Sequence, residues 1–422
     1  MSVYGKKLNP KRMPRVPRAL KGERKEIVIT HTPSTVLPGQ ELIVKFPSLG
    51  VNDVIVPGSV RLAFNLELDG GSDVNRTIYN NLSRNLISKI QVALQGNEFI
   101  SYTFADVFHN FKDNWLYEKV VKNETYRGLE KANVAKLRVG AANADNSANN
   151  GKDKALADAF GNRYAIPLDI DIFTTHEPFY PSSLRAPLTY ILTFNSADKV
   201  VDSTDTEASY TLTGLSLEYE IVTSQSLAQT IKNQRKGDSY YLFDRIHMFE
   251  HRHVNKNDTL WNVSIAQPIR SLRGILFLWK DPSVKNPQRF YNPRVKKTMI
   301  TVDGMPNQLY SKGMETYQHW NEVKKFFGDT DAEHAQRVAR DLNNYGVEIE
   351  DYYKDKYGLW LDFRSNDDNI LHGSGRTIKN HGGINIELNR DAESAGDLSM
   401  YVFLIMDAQL KLEDGSFSSL TS

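Results

Sequence analysis

The chain has 422 residues, 40% of them apolar and 24% charged, and a net charge of +1. That is length enough for two or three domains with cores of their own. The absence of cysteine excludes disulfides and thiolate metal sites, and the longest apolar run, MYVFLIM at 400–406, is too short to cross a bilayer as a helix.

Residues 1–25 hold nine basic side chains (Lys6, Lys7, Lys11, Arg12, Arg15, Arg18, Lys21, Arg24 and Lys25) against one acid, Glu23. This arm carries +8 and leaves −7 for the rest of the chain. Pro10, Pro14 and Pro17 forbid a continuous helix there, so an extended arm seeking an anionic partner is expected. No apolar segment follows it, so no secretory leader is expected.

A first β domain is expected over 26–223. Its strands read KEIVITH (25–31), ELIVKF (41–46), SVRLAFNLEL (59–68), YAIPLDIDI (164–172), PLTYILTF (187–194) and ASYTLTGLSLEYEIV (208–222). Pro38-Gly39 and Pro57-Gly58 mark turns between the early strands. Residues 122–162 are polar and Ala-rich and read as a long surface loop. A helical connector spans 224–237, with Ser224 as N-cap and Gly237 as terminator. A second β domain over 238–413 opens with SYYLFDRIHMF (239–249). An acidic helix at 331–343 precedes its closing strands, YGLWLDF (357–363), GINIELN (383–389) and LSMYVFLIMDAQLKL (398–412), and a polar loop at 364–382 lies between the first two of them. Residues 414–422 form a polar tail.

One unit occurs in both domains. KIQVALQGNEFISYTFADVFHNFKDNW (89–115) and TMITVDGMPNQLYSKGMETYQHWNEVKKFF (298–327) each read strand, Gly turn, short strand, helix. Phe104, Phe108, Phe111 and Trp115 fall on one face of the first helix, and Tyr317, Trp320 and Phe327 on one face of the second. The elements upstream correspond as well, at offsets of 218 and 213 residues, close to the 209 of the unit itself. The fold expected is all-β with a few helices: two tandem eight-stranded antiparallel jelly rolls, a double jelly roll.

Chemistry has few candidates. His247, His251 and His253 alternate in HMFEHRH, as three imidazoles on one strand face do in metal-binding cupins. No carboxylate of ligand spacing completes that set. Asp169 and Asp171 share a strand face; such pairs serve glycoside hydrolysis, and acids alternating with Leu and Ile are also the pattern of a half-exposed strand. HGSGRTIKNHGG (372–383) has the glycines of a phosphate cradle without its Gly-Lys-Ser/Thr. Acidic clusters at 202–207, 329–333 and 348–355 read as solvated faces. No catalytic residue, cofactor or metal is assigned, and the chain reads as a structural protein rather than an enzyme. A two-domain jelly-roll carbohydrate-binding protein or glycoside hydrolase stays open as the alternative.

NLSRNLISKIQVALQGNEF (81–99) resembles the corner segment of large DNA virus capsid proteins. SLRGILFLWKDP (271–282), followed by YNPRVKKTMITVDGMPNQLY (291–310), is similar to capsid proteins of Polinton/Maverick elements and adintoviruses. The resemblance, to double jelly-roll major capsid proteins, spans about residues 25–412. It implies a homotrimeric, pseudo-hexagonal capsomer tiling an icosahedral shell. Neighbouring capsomers, penton proteins and minor capsid proteins are the implied partners, and the virion the implied location. The basic arm would face packaged DNA, an internal membrane or adjacent capsomers.

Overall fold

A computed structural model describes residues 22–30, 35–46, 49–56, 58–115, 128, 132–145, 151–168, 184–234, 238–328, 347–364, 375–379 and 383–421. The chain divides into two compact units. Unit 1 comprises Met1–Val107, Lys119–Phe243 and Gln409–Leu420, and unit 2 comprises Phe108–Glu118, Asp244–Ala408 and Thr421–Ser422.

The first roll is built from β1 (Glu23–Thr30), β2 (Glu41–Lys45), β3 (Arg61–Asp69), β4 (Ile87–Leu94), β5 (Asn97–Thr103), β6 (Arg163–Pro167), β7 (Leu188–Phe194) and β8 (Ser209–Thr223). One antiparallel sheet takes them in the order β1-β8-β3-β6 and the other in the order β2-β7-β4-β5. The second roll uses β9 (Asp238–Asn255), β10 (Leu260–Ile265), β11 (Ile269–Lys280), β12 (Val295–Val302), β13 (Met305–Pro306), β14 (Gly358–Asp362), β15 (Ile384–Arg390) and β16 (Asp397–Glu413). Its sheets run β9-β16-β11-β14 and β10-β15-β12-β13. Counting strands within each roll, both give first-eighth-third-sixth and second-seventh-fourth-fifth. That is the jelly-roll order, found twice.

Period-two patterning drives this. In β7, LTYILTF buries every second side chain from Leu188 to Phe194, and INIELNR in β15 does the same. The inner faces interlock through large rings. Phe46 lies 5.2 Å from Tyr190 and from Tyr219 in unit 1, and Trp261 lies 6.2 Å from Trp279 in unit 2. Rings buried this way contribute about 1.5–3 kcal/mol each.

The two copies of the repeated corner turn alike. Gln95 and Gly96 have φ of 54° and 78°, and Asp303 and Gly304 have 54° and 76°. Positive φ at both central residues is the two-residue hairpin whose twist matches its strands. The short second strand of the later copy is only Met305–Pro306.

Two expectations change. Residues 122–162 are not one loop: α2 (Ala132–Arg138) and α3 (Gly151–Phe160) form within them, after α1 (Ala105–Asn114). Arg138 anchors α2, donating to the carbonyls of Gly161 at 2.7 Å and Arg163 at 2.5 Å and lying 3.5 Å over the Tyr164 ring. The polar tail contains a strand, Ser416–Thr421, paired with β16. Asp414 and Gly415 make its turn with φ of 47° and 77°, the same hairpin chemistry as the two corners. The connector, α4 (Gln225–Gln234), packs Leu227, Ala228 and Ile231 onto Val54 in unit 1. The expected acidic helix at 331–343 lies outside the described residues.

Candidate assembly surfaces

Seven of the nine basic residues of the arm, Lys6, Lys7, Lys11, Arg12, Arg15, Arg18 and Lys21, lie outside the described residues. Arg24 and Lys25 are not arm but strand, because β1 begins at Glu23. There they are committed locally: Arg24 pairs with Glu220, and Lys25 with Glu23 at 2.9 Å. Exposed pairs of this kind contribute little singly.

Arg24 belongs to a ladder on the outer face of sheet β1-β8-β3-β6. Register sets Glu26 opposite Glu220, Val28 opposite Glu218, and Glu218 opposite Arg61. Arg61 spans the strands, pairing with Glu26 and with Glu218 at 2.9 Å. Arg163 on β6 reaches Glu218 at 3.4 Å and donates to Ser216 Oγ at 3.1 Å. Three cations and three carboxylates thus alternate across an open face, with Val28 56% exposed among them. Like charges directly opposite would cost stability, and the arginines between them remove that cost.

The matching face of unit 2 is covered. On sheet β9-β16-β11-β14, Leu276 stands opposite Phe403 and opposite Trp360, so the three share one side. Rings are laid over that side. Phe108 lies 5.5 Å from Phe403, Phe326 stacks at 4.0 Å on Trp360, and Phe327 lies 5.8 Å from Trp360. Phe111 bridges Phe327 at 5.2 Å and Phe290 at 5.4 Å. Trp115 packs 5.3 Å from Trp320 and 6.1 Å from Tyr352. The covering pieces are the Phe108–Trp115 segment, α5 (Thr316–Val323), the π-helical turn Lys324–Gly328 that continues it, and Tyr352 of α6 (Ile349–Asp355).

Two of the expected stripe residues sit elsewhere. Phe104 precedes α1 with φ 54°, outside the helix and half-buried. Tyr317 is 71% exposed. The buried side of α5 is instead His319, Glu322 and Val323, and Trp320 is half-buried. The cause is plain α-helical geometry, which sets Tyr317 nearly opposite the side formed by His319, Glu322 and Val323.

His319 was not singled out by its spacing. It is fully buried, 2.9 Å from the Tyr357 hydroxyl through Nδ1, and burial pushes its imidazole down to about 4. Beside it on α5, Glu322 accepts from Tyr310 Oη at 2.8 Å and pairs with Lys325 at 3.1 Å. Burial first, then the Glu322 carboxylate, raise the Tyr310 phenol far above its ordinary range.

The three alternating histidines do not form a ligand set. His251 stacks on Tyr401 at 4.6 Å and lies 5.7 Å from His253, while burial and Arg245 lower the pKa of His247. Among the described residues, no group of three His, Asp or Glu is placed to hold a metal ion. Asp169 and Asp171 lie outside the described residues, as do the acids at 329–333 and half of 372–383. The acids near 202–207 tie turns together: Asp205 accepts the Ser72 and Glu207 amides at 2.7 and 2.9 Å. Acids of the 348–355 cluster sit on α6, where Asp355 pairs with Arg289 at 3.5 Å.

No protein-family model and no curated protein sequence matches the chain. Solved structures do. A chain of the PBCV-1 virus capsid aligns with TM-score 0.62 at 10% identity, covering 96% of this chain and 98% of its own. The Faustovirus major capsid protein aligns with TM-score 0.54 at 8% identity over 95% and 91%. The mavirus major capsid protein aligns with TM-score 0.53 at 11% identity over 93% and 89%. Identities this low speak for the fold alone, and the fold is the double jelly roll, matched almost from end to end.

Proposed function

We propose that the chain is the major capsid protein of an icosahedral DNA-containing shell. Three copies, each supplying two jelly rolls, form one pseudo-hexagonal capsomer. The observation that carries this is the strand order repeated within one chain. Two equal rolls per chain let a threefold assembly present six similar corners, and such an assembly tiles a shell. The end-to-end likeness to viral capsid proteins supports the same reading. The chain is then structural rather than catalytic, and its place is the virion, among neighbouring capsomers and penton and minor capsid proteins.

The basic arm faces inward in this reading, towards packaged DNA or an inner membrane. Its charge offers sequence-independent, salt-sensitive attraction to phosphate. Deleting residues 1–22 leaves β1 whole and should leave the oligomer intact while weakening retention of DNA as salt rises. Unchanged retention by the truncated chain sinks this part.

Sedimentation and negative-stain imaging of purified protein test the main reading. A stable trimer of hexagonal outline, assembling into sheets or shells when concentrated, is expected. A monomer at every concentration overturns it.

A further inference from the structure

Of the three alternating histidines of β9, two lie close together. His251 and His253 are two residues apart on one strand, so they project to the same side. Their ring centres are 5.7 Å apart, and both residues are exposed. His247 is half-buried and stands about 13 Å back along the strand from His251, too far to join them. Three histidines therefore make no ligand set, while two of them remain paired.

Side chains of the neighbouring strand β16 hold both rings. His251 lies against Tyr401, 4.6 Å away and 18° from parallel, and Tyr401 is itself buried. His253 has Nδ1 3.5 Å from the hydroxyl oxygen of buried Ser399. When Nδ1–H donates to that oxygen, Nε2 keeps its lone pair for a metal, the usual way a ligating imidazole is oriented by its other nitrogen. Burial first, then His253, hold the His251 imidazole below its ordinary range, so it is neutral at neutral pH, the form that binds metal. A tetrahedral ion bonded to one nitrogen of each ring sits about 3.2 Å from each ring centre, which asks for centres about 5.2 Å apart. The observed 5.7 Å is within about 0.5 Å of that, a small side-chain rotation.

We propose that His251 and His253 chelate one transition-metal dication, Zn²⁺, Ni²⁺ or Cu²⁺, through one nitrogen of each ring. Imidazole suits these ions, whereas Ca²⁺ and Mg²⁺ take oxygen ligands. Among the described residues no third His, Asp or Glu completes the set, so water fills the remaining positions and the affinity is modest. Cu²⁺ binds tightest of the three, as nitrogen ligands dictate. The site goes beyond the capsid reading and does not rest on it.

Calorimetric titration of the metal-stripped full chain with ZnCl2, and separately with CuCl2, at about pH 7.5 tests this. The tightest binding event should take one ion per chain. His251→Asn and His253→Asn should each weaken it about tenfold or more, and His247→Asn, the control on the same strand, less than about twofold. Electron paramagnetic resonance of the Cu²⁺ form gives a second readout: nitrogen coupling from two imidazoles in the native chain and from one in His253→Asn. If His251→Asn lowers the thermal transition, His253→Asn alone decides, because that side chain is exposed. Native-strength binding in the paired variant, or a Cu²⁺ spectrum that the paired variant leaves unchanged, would put the metal elsewhere and overturn the proposal. The absence of saturable binding below about 1 mM of either ion would overturn it too.

Discussion

The eighth strands of the two rolls occupy the same place in the same sheet and look unlike each other. In β8, inward Tyr210, Leu212, Leu217, Tyr219 and Ile221 alternate with outward Thr211, Thr213, Glu218 and Glu220. In β16, every residue from Leu398 to Met406 is buried. The inner face alone therefore carries the topology, since it is apolar in both. The outer face records what lies on it: solvent and an ion ladder in unit 1, aromatic helices in unit 2. A continuous apolar run in one roll and an alternating run in the other are thus one strand in two surroundings.

The sharpest way to break this comparison is to empty the covered face. Trp115→Ala removes a ring held among Phe111, Trp320 and Tyr352, and should cost about 3–5 kcal/mol in denaturant unfolding. Trp320→Ala should cost less, about 2 kcal/mol, because that side chain is half-buried. Equal losses, or a Trp115 loss below about 1 kcal/mol, would mean the rings do not seal the face.

Filling the same face sharpens the comparison. A Cβ on Gly274 would lie 2.1 Å from the Trp360 ring, so Gly274→Ala must displace that ring or the strand. A loss of about 3 kcal/mol is expected. Ala63 stands on β3, the matching strand of unit 1, opposite Ser216. Ala63→Gly should cost only about 0.5–1 kcal/mol, from backbone freedom. Thermal or denaturant unfolding of the two variants reads the difference directly.

Acid should weaken the covered side through His319. Its folded pKa is lowered to about 4 by burial, from 6.5 in the unfolded chain. Between those values the unfolded state binds the proton and the folded state does not, so stability is full above pH 6.5 and falls as pH drops towards 4. At about pH 4.5 the loss is about 2–3 kcal/mol relative to neutral pH. The Tyr357 hydroxyl faces the ring directly, and Glu322 lies on the same helix. His319→Gln should flatten the profile over that window, and an unchanged slope would place the acid sensitivity elsewhere.

Much of this was legible in the residues. Alternation located the long strands of both rolls but not short ones such as Thr35–Val36, Asp53–Ile55 and Arg376–Ile378, and the X-Gly pairs at 95–96 and 303–304 located both hairpins. The third such pair, Asp414-Gly415, carried the same signal inside a segment whose polarity suggested a tail. Likewise ANVAKLR and KDKALADAF have the alanine, leucine and lysine of good helix formers, hidden by their lack of apolar bulk. Tyr317 and Phe104 were not legible. One depends on which side of its helix meets the sheet, His319, Glu322 and Val323 rather than the aromatic stripe, and the other on a left-handed backbone that no phenylalanine announces. The outer-face ladder was also hidden, because it joins Arg24, Arg61, Arg163 and Glu218 from four separate stretches of chain.

The smallest effect belongs to that ladder. Glu218 is its hub, holding Arg61 at 2.9 Å and Arg163 at 3.4 Å with its own side chain mostly shielded. Glu218→Gln keeps the shape and removes the charge, leaving Arg61 with Glu26 and Arg163 without its carboxylate. Networked but open pairs of this kind are worth about 1 kcal/mol at low ionic strength. Most of that difference should vanish at about 0.5 M salt, where the screening length is near the ion-pair distance itself. Urea unfolding at one fixed protein concentration, in low and high salt, separates the cases. A salt-independent loss of 3 kcal/mol or so would mean that the face is as dry as its counterpart in unit 2, and the contrast between the two sheets would have to be withdrawn.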